Sequence, residues 1–444
     1  MSKLRDRPLY RAVDIQRDIL CNHGVRLPYK QAWMGKEVAK GILHGSDVAS
    51  YDLLIWYASF KRGCRPMLFL DGTHLLGKYG GILLGATAKD GNEGLFHLAF
   101  AIVDNETDDN WMWFISTLGD AIYGEDDYHK IITFISDSSK GLVNAIAKVF
   151  PSAPHGYCLR HLQANFLKAN GHLGKGLKDE CWRLVVKIAY ACTSSEYDAT
   201  VGALSAASTQ AHNWLFQKSD MMYWCNYLFR GQRWGEMYSN VAESFNAWIK
   251  EARHLPVCNM VNAIRFKMMN LMYKRRENSM KWETHLCPEI HKKIEKTIEE
   301  SRCLVIGRSD GDIFEVVDKQ GNHVDLRNRT YSCRRWEVYG LPYNHACCAI
   351  LQTDVNIHRY VEGYYTVVLY KEAYESPIFP VPDHDKPMDA GRHLHIRPPI
   401  SKKRPGRPRK RRIESQAFGV RDLHYNRCHE VGHNRATCNE VITD

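Results

Sequence analysis

The spacing of apolar positions changes several times along the chain, and each change marks a boundary. Residues 1–63 carry a helical spacing, clearest from Tyr29 to Leu43, where Ala32, Trp33, Val38, Ile42 and Leu43 recur near 3.6 residues. From residue 64 to 166 strand and helix patterns alternate. Met67–Leu70 is an apolar run ending at Asp71, and Gly81–Ala88 and Gly94–Val103 are further strand candidates. Lys89-Asp90-Gly91-Asn92 between them reads as a hairpin turn. Trp111–Tyr123 predicts a helix with Trp111, Phe114, Ile115 and Leu118 on one side. Ile131–Ser136 predicts a fourth strand ending at Asp137, and Ser139–Phe150 a second helix stopped by Pro151. This order predicts a mixed sheet with helices packed on it.

Residues 167–300 contain no good strand run and predict helices, including Val241–Ala252 with Pro256 as its stop. Within them we separate a helical insertion over 167–235 from a helical region over 236–300. Strand-like alternation returns around Asp312–Val324, inside a small α+β module over 301–380. Residues 381–424 are a Pro- and Arg-rich linker, and 425–444 a Cys/His-bearing tail.

With 444 residues the chain is long enough for two or three domains, and 44% hydrophobic residues suffice for a large core. No run of 18 apolar residues predicts a membrane span, and the first residues lack the apolar stretch of a secretory signal. Fourteen cysteines are too few for a disulfide scaffold of this size, so reduced thiols, some of them metal ligands, are expected. The net charge is +10, but Ser401–Arg412 (SKKRPGRPRKRR) holds eight Lys or Arg; setting those eight aside leaves about +2 for the rest. The basic character is therefore largely a tail, of the kind that binds nucleic acid.

Asp71 and Asp137 each follow an apolar strand. Carboxylates at the ends of adjacent strands can converge on magnesium or manganese. Two such ions about 3.5–4 Å apart activate water and stabilise a leaving oxygen in phosphodiester cleavage. Glu243, on the Val241–Ala252 helix, is the candidate third carboxylate. Read alone, an Asp after a strand serves equally as a turn or cap residue.

Longer blocks surround these residues. They are Phe69–Leu75 (FLDGTHL) with Gly77–Gly80 (GKYG), Asp90-Gly91-Asn92, Phe100–Val103, Glu106, and Asn110–Phe114 (NWMWF). Ser136-Asp137 with Lys140-Gly141-Leu142 follows, then Tyr157–Leu162 (YCLRHL), Asn165-Phe166 and Ser239–Asn246 (SNVAESFN). In this order they resemble the catalytic blocks of plant Mutator-like element transposases, over nearly the whole chain. The resemblance implies a ribonuclease-H-like α/β core with helices on its faces, interrupted by a helical insertion. It implies an Asp71, Asp137, Glu243 triad holding Mg2+ or Mn2+, with hydrolysis and strand transfer at DNA ends. It also implies nuclear localisation and assembly as a homo-oligomer, although no heptad pattern supports a particular one.

Cys158 and His161 form a Cys-x2-His pair that reads either as a metal-proximal pair or as a core Cys beside a hydrogen-bonded His. The 324–350 segment resembles a SWIM-type zinc finger, whose ligand positions fall on Tyr331, Cys333, Tyr343 and His345. Two remaining ligands fall short of a tetrahedral zinc site, with Cys347 and Cys348 nearby as recruits. Cys428, His433 and Cys438 match a zinc knuckle whose first Cys is replaced by Tyr425, with His424 or water as a fourth ligand. Each departure is Cys to Tyr, one G-to-A transition, which suggests decay; cysteine codons at these positions in the transcript would overturn that reading. Structural Zn2+ is therefore expected to be weakened or lost.

The resemblance also implies a longer segment before Arg65-Pro66, where residues 59–64 make the join directly, and an amino-terminal zinc-bearing DNA-binding domain that this sequence does not show. A deletion or a gene-model boundary accounts for the first. Two readings follow: a metal-dependent transposase, whether active or decayed, or a non-catalytic DNA- or zinc-binding protein derived from one.

The tail carries an AT-hook-like core, Arg404, Gly406, Arg407, Pro408, Arg409 and Lys410, suited to the narrow minor groove of A·T-rich DNA and also to nuclear import. Replacing Arg407 and Arg409 with Ala is expected to weaken A·T-rich duplex binding about tenfold and to flatten its salt dependence. Unchanged binding in a fluorescence-anisotropy titration would refute the hook.

Overall fold

A computed structural model of the chain describes residues 12–28, 31, 57, 59–77, 80–124 and 129–379. Most of the expected helix at Tyr29–Leu43, the Arg404–Lys410 hook and the Cys428, His433, Cys438 knuckle lie outside these described residues.

After α1 (Ala12–His23), the chain enters a five-stranded sheet. Its strands are β1 (Met67–His74), β2 (Ile82–Lys89), β3 (Leu95–Val103), β4 (Thr133–Ser136) and β5 (His155–Tyr157), in the order β3-β2-β1-β4-β5. β1–β2 and β2–β3 pair antiparallel; β1–β4 and β4–β5 pair parallel. Helices α2 (Asp108–Tyr123) and α3 (Lys140–Val149) connect the strands. The apolar run of β1 is buried on both faces, as expected for a central strand. Leu68 and Leu70 join Trp111, Phe114, Ile115 and Leu118 of α2, while Met67 and Phe69 join Trp234, Val241 and Ala242 on the other face. The predicted strands and both helices are present. β1 runs past the expected end, so Asp71 lies inside the strand rather than after it. β5 is three residues long, too short to announce itself by periodicity.

Residues 159–218 form α4 (Leu159–Ala169), α5 (Lys175–Tyr190), α6 (Ser194–Ala207) and α7 (Thr209–Lys218), around a separate core containing Phe166, Val185, Ile188, Leu204, Leu215 and Trp224. The helix expected over Val241–Ala252 is shorter: α8 spans Asn240–Trp248, and a 3-10 turn follows at Ala252–His254. Pro256 both ends this region and caps α9 (Val257–Ser279), because a proline has no N–H for a helix start to leave unpaired. After α10 (Pro288–Ser301) comes a four-stranded antiparallel sheet. It comprises β6 (Val305–Asp310), β7 (Ile313–Val317), β8 (Gly321–Asp325) and β9 (Thr330–Tyr331), packed with α11 (Arg335–Tyr339) and α12 (Asn344–Ile350). Last, α13 (Val367–Glu375) returns Val367, Tyr370 and Tyr374 to the core of the first sheet. No helix among the described residues is long and apolar enough to cross a membrane.

The β2–β3 turn anchors this return. Asp90 is fully buried; its Oδ1 accepts from the N–H groups of Asn92 and Gly94 at 2.9 and 2.7 Å. Its Oδ2 accepts from the Tyr374 hydroxyl at 2.8 Å and lies 3.2 Å from Arg275 Nη1. One carboxylate thus joins the hairpin, α9 and α13. Asp90→Ala is expected to cost about 3–5 kcal/mol in urea unfolding, because it leaves Arg275 as a largely buried charge without its partner. A loss below about 1 kcal/mol would show that the knot is not structural.

Candidate active site

The β1–β4 pairing leads the two aspartates out of the same part of the sheet. Met67, Leu68 and Phe69 pair with Thr133, Phe134 and Ile135, and Asp137 follows directly after β4. Alternation puts Asp71 on the face of Phe69 and Ile135, where Val241 and Ala242 of α8 pack.

A glycine brings α8 in close. Gly85 is the β2 partner of Asp71, and a Cβ there would lie 3.1 Å from Phe245 Cε1. Without that Cβ, Phe245 seats against the sheet and stacks on His97, with ring centroids 4.6 Å apart. His97 also stacks on Trp248 at 4.7 Å. Burial holds the His97 imidazole down at about 3, so it packs as a neutral ring. One residue beyond Phe245, Asn246 donates from Nδ2 to Asp71 Oδ2 at 2.8 Å. Glu243 lies one turn before Asn246, on the same side of α8. Its Oε2 accepts from Arg160 Nη1 of α4. Among the described residues, no three His, Cys, Asp or Glu side chains are grouped as a metal-holding set. Asp71 and Asp137 both lie near enough to His161 to act on its imidazole, and Glu243 comes from α8, which packs on the Asp71 side of the sheet, bonded to Arg160.

Other side chains lie near the aspartates. A Cβ on Gly72 would lie 3.2 Å from both Cδ and Oε2 of Glu106, so the missing side chain lets Glu106 close over β1 on the face opposite Asp71. Trp111 Nε1 donates to Glu106 Oε1 at 3.2 Å. Burial raises the Glu106 carboxyl above its ordinary value, the charge of Asp137 raises it further, and the Trp111 bond only partly offsets them. Glu106 belongs to the matched sequence blocks, but its spacing alone did not mark it as a site residue. On the cationic side, Arg253 donates from Nε and Nη2 to His74 O at 2.9 and 2.6 Å, pinning the end of β1. Burial lowers the Arg253 guanidinium, and Asp71 opposes that shift.

Cys158 and His161 lie at the start of α4, beside the same site. Burial would push the Cys158 thiol up; hydrogen bonds from His161 and Ser239 override it and bring the thiol down to about 7. The Ser239 N–H donates to Cys158 Sγ at 3.2 Å, joining the starts of α4 and α8. Burial opposes charge on His161, yet Cys158, Asp137 and Asp71 hold the imidazole above its ordinary value. His161 Nδ1 is buried with no hydrogen-bond partner.

Cys333 and His345 are also brought together, away from this centre. His345 Nδ1 lies 3.3 Å from Cys333 Sγ, and its Nε2 lies 3.2 Å from Asp318 Oδ2. Tyr331 is buried against Trp336 with centroids 5.7 Å apart, and its hydroxyl sits by the Tyr343 backbone without a well-formed bond. The tyrosine fills space with apolar ring. The Cys347 and Cys348 thiols instead approach the carbonyls of Pro342 and Leu304, at 3.6 and 3.9 Å.

Glu106 gives a test without metal. Its folded carboxyl titrates above its unfolded value, so any stability it contributes is present below the unfolded value and lost as pH rises through the folded one. Glu106→Gln, in chelated buffer, is expected to raise the melting temperature at about pH 8 and to match the native chain near pH 4. An equal shift at both pH values would refute the raised Glu106 carboxyl.

Comparison with known proteins adds one match. No curated protein matches the chain. Residues 67–165, which run from β1 with Asp71 through β4, Asp137 and the Cys158–His161 turn, match the family model described as the MULE transposase domain.

Proposed function

We propose that the chain is a Mutator-like transposase whose core cleaves and joins DNA at element ends, with Asp71, Asp137 and Glu243 as its catalytic carboxylates. The observation that carries this reading is the bond from Asn246, on the helix bearing Glu243, to Asp71, with Asp137 following the strand parallel to that of Asp71. The sheet order, with β1, β2 and β3 antiparallel and β4 and β5 added parallel, supports a ribonuclease-H-like core. The natural setting of such a protein is the nucleus.

The donor set suits a hard divalent cation: its ligands are carboxylate oxygens, and the charge of Asp137 adds to burial in raising the nearby Glu106 carboxyl. Asp71, Asp137 and Glu243 would hold Mg2+ or Mn2+, which when bound polarises a phosphate oxygen and lowers the pKa of water. The chain's own groups do the rest. Asn246 fixes the Asp71 carboxylate through one of its oxygens. Arg253 clamps the end of β1. His161 offers the buried Nδ1 as a place for a proton. DNA enters as substrate, and the Arg404–Lys410 segment adds backbone and minor-groove affinity.

A second reading, a non-catalytic DNA-binding protein derived from a transposase, is favoured by Tyr331. At that position, which the resemblance assigns to a zinc ligand, Tyr331 is a buried aromatic ring packed near Trp336. Zinc at Cys333 and His345, and at the Cys428, His433, Cys438 knuckle, is on this view weakened or lost.

The two readings separate in a plasmid-nicking assay on the flanking element ends, with Mn2+ or Mg2+. The native chain is expected to nick, and Asp137→Asn to fall by about 10^3-fold or more while keeping its circular dichroism. A folded native chain that leaves authentic ends intact would establish the non-catalytic reading.

A further inference from the structure

Of the three candidate carboxylates, Glu243 has a guanidinium partner: its Oε2 accepts from Arg160 Nη1. Asp137 follows β4, the parallel neighbour of β1, and α8 is already seated, since Asn246 donates to Asp71. The Arg160 side chain is 51% exposed and that of Glu243 27%, so solvent reaches the pair. Arg160 lies between Cys158 and His161, on the turn whose imidazole feels both aspartates. A guanidinium bonded to a candidate carboxylate is thus open to solvent beside the candidate site.

We propose that Arg160 is a phosphate-sensing positioning residue, which holds Glu243 apart from the aspartate pair until a DNA backbone phosphate takes its guanidinium. The freed Glu243 then completes the carboxylate set. The inference rests on the proposed role of Asp71, Asp137 and Glu243, and it adds the order of events: phosphate first, third carboxylate second. Exposed ion pairs are weak. A phosphate accepts two parallel charge-assisted bonds from guanidinium, so the exchange is favourable. Only side chains need move, because Asn246 and Phe245 already fix α8 on the sheet. The latch also limits the negative charge beside Asp71, Asp137 and Glu106 in the absence of substrate.

A double-mutant cycle on the full chain tests this, read by Mn2+ affinity in calorimetry rather than by cleavage. Without DNA, Glu243→Gln is expected to bind Mn2+ as the native chain does. Arg160→Ala is expected to bind it roughly tenfold more tightly, and Arg160→Ala with Glu243→Gln to lose that gain. Arg160→Lys keeps the charge and is expected to stay near native. With a duplex carrying a non-hydrolysable phosphorothioate backbone, native affinity for Mn2+ rises and becomes sensitive to Glu243→Gln.

A surface ion pair of purely structural use would change melting temperature and leave Mn2+ affinity alone. Unchanged Mn2+ affinity in Arg160→Ala, or an equal weakening by Glu243→Gln with and without Arg160, would overturn the latch. If the expected pattern holds and the native chain still leaves DNA uncut, the latch stands and the catalytic reading falls. If none of the four proteins binds Mn2+, both fall.

Discussion

The site depends on one close approach, the seating of α8 against the sheet at Gly85. A side chain there would meet the Phe245 ring at 3.1 Å and push it back by a few tenths of an ångström. With glycine, Phe245 and Trp248 close on a neutral His97, and the helix comes near enough for Asn246 to bond Asp71. A packing decision between apolar and aromatic groups therefore sets the distance between polar ones. Side chains on a rigid sheet and a seated helix are held more tightly than side chains on loops.

The second constraint is charge. Asp71, Asp137, Glu106 and Glu243 gather near one end of the sheet, and such a cluster is unfavourable unless each charge is answered. The answers come from different elements. Asn246 binds Asp71, Arg160 binds Glu243, Trp111 binds Glu106, and Arg253 and His161 lie within reach of the aspartates. Burial first, and then Asp137, raises the Glu106 carboxyl, while Cys158, helped by Asp137 and Asp71, raises the His161 imidazole against burial. A divalent cation would relieve the same cluster of charge, which is why the compensation built into the protein and the proposed chemistry point the same way.

Away from this centre the molecule is tied together by buried polar joints. Asp90 connects the β2–β3 turn to α9 and α13. Buried Arg65 and half-buried Lys89 meet Glu93 and Glu236, joining the first sheet to the segment before α8. The β6–β9 module keeps a packed interior around Phe314, Val324, Tyr331 and Trp336. Its Cys333 and His345 side chains meet, with His345 Nδ1 3.3 Å from Cys333 Sγ.

Local sequence determined the elements whose signal is local. The apolar runs of β1 to β4, the amphipathic faces of α2 and α3, and the turn at Asp90-Gly91 were readable, because hydrophobic periodicity and turn chemistry act over a few residues. The blocks around Asp71, Asp137 and Glu243 named candidates. Spacing along the chain could not show that Asp71 lies inside its strand, that α8 ends at Trp248, or that Glu243 is bonded to Arg160, a residue 83 positions away. Nor could it single out Glu106, whose role rests on a missing Cβ at Gly72 and on a neighbour from another strand. Those features depend on which surfaces meet, and distances between residues far apart in sequence exist only once the sheet register and the helix seat are set.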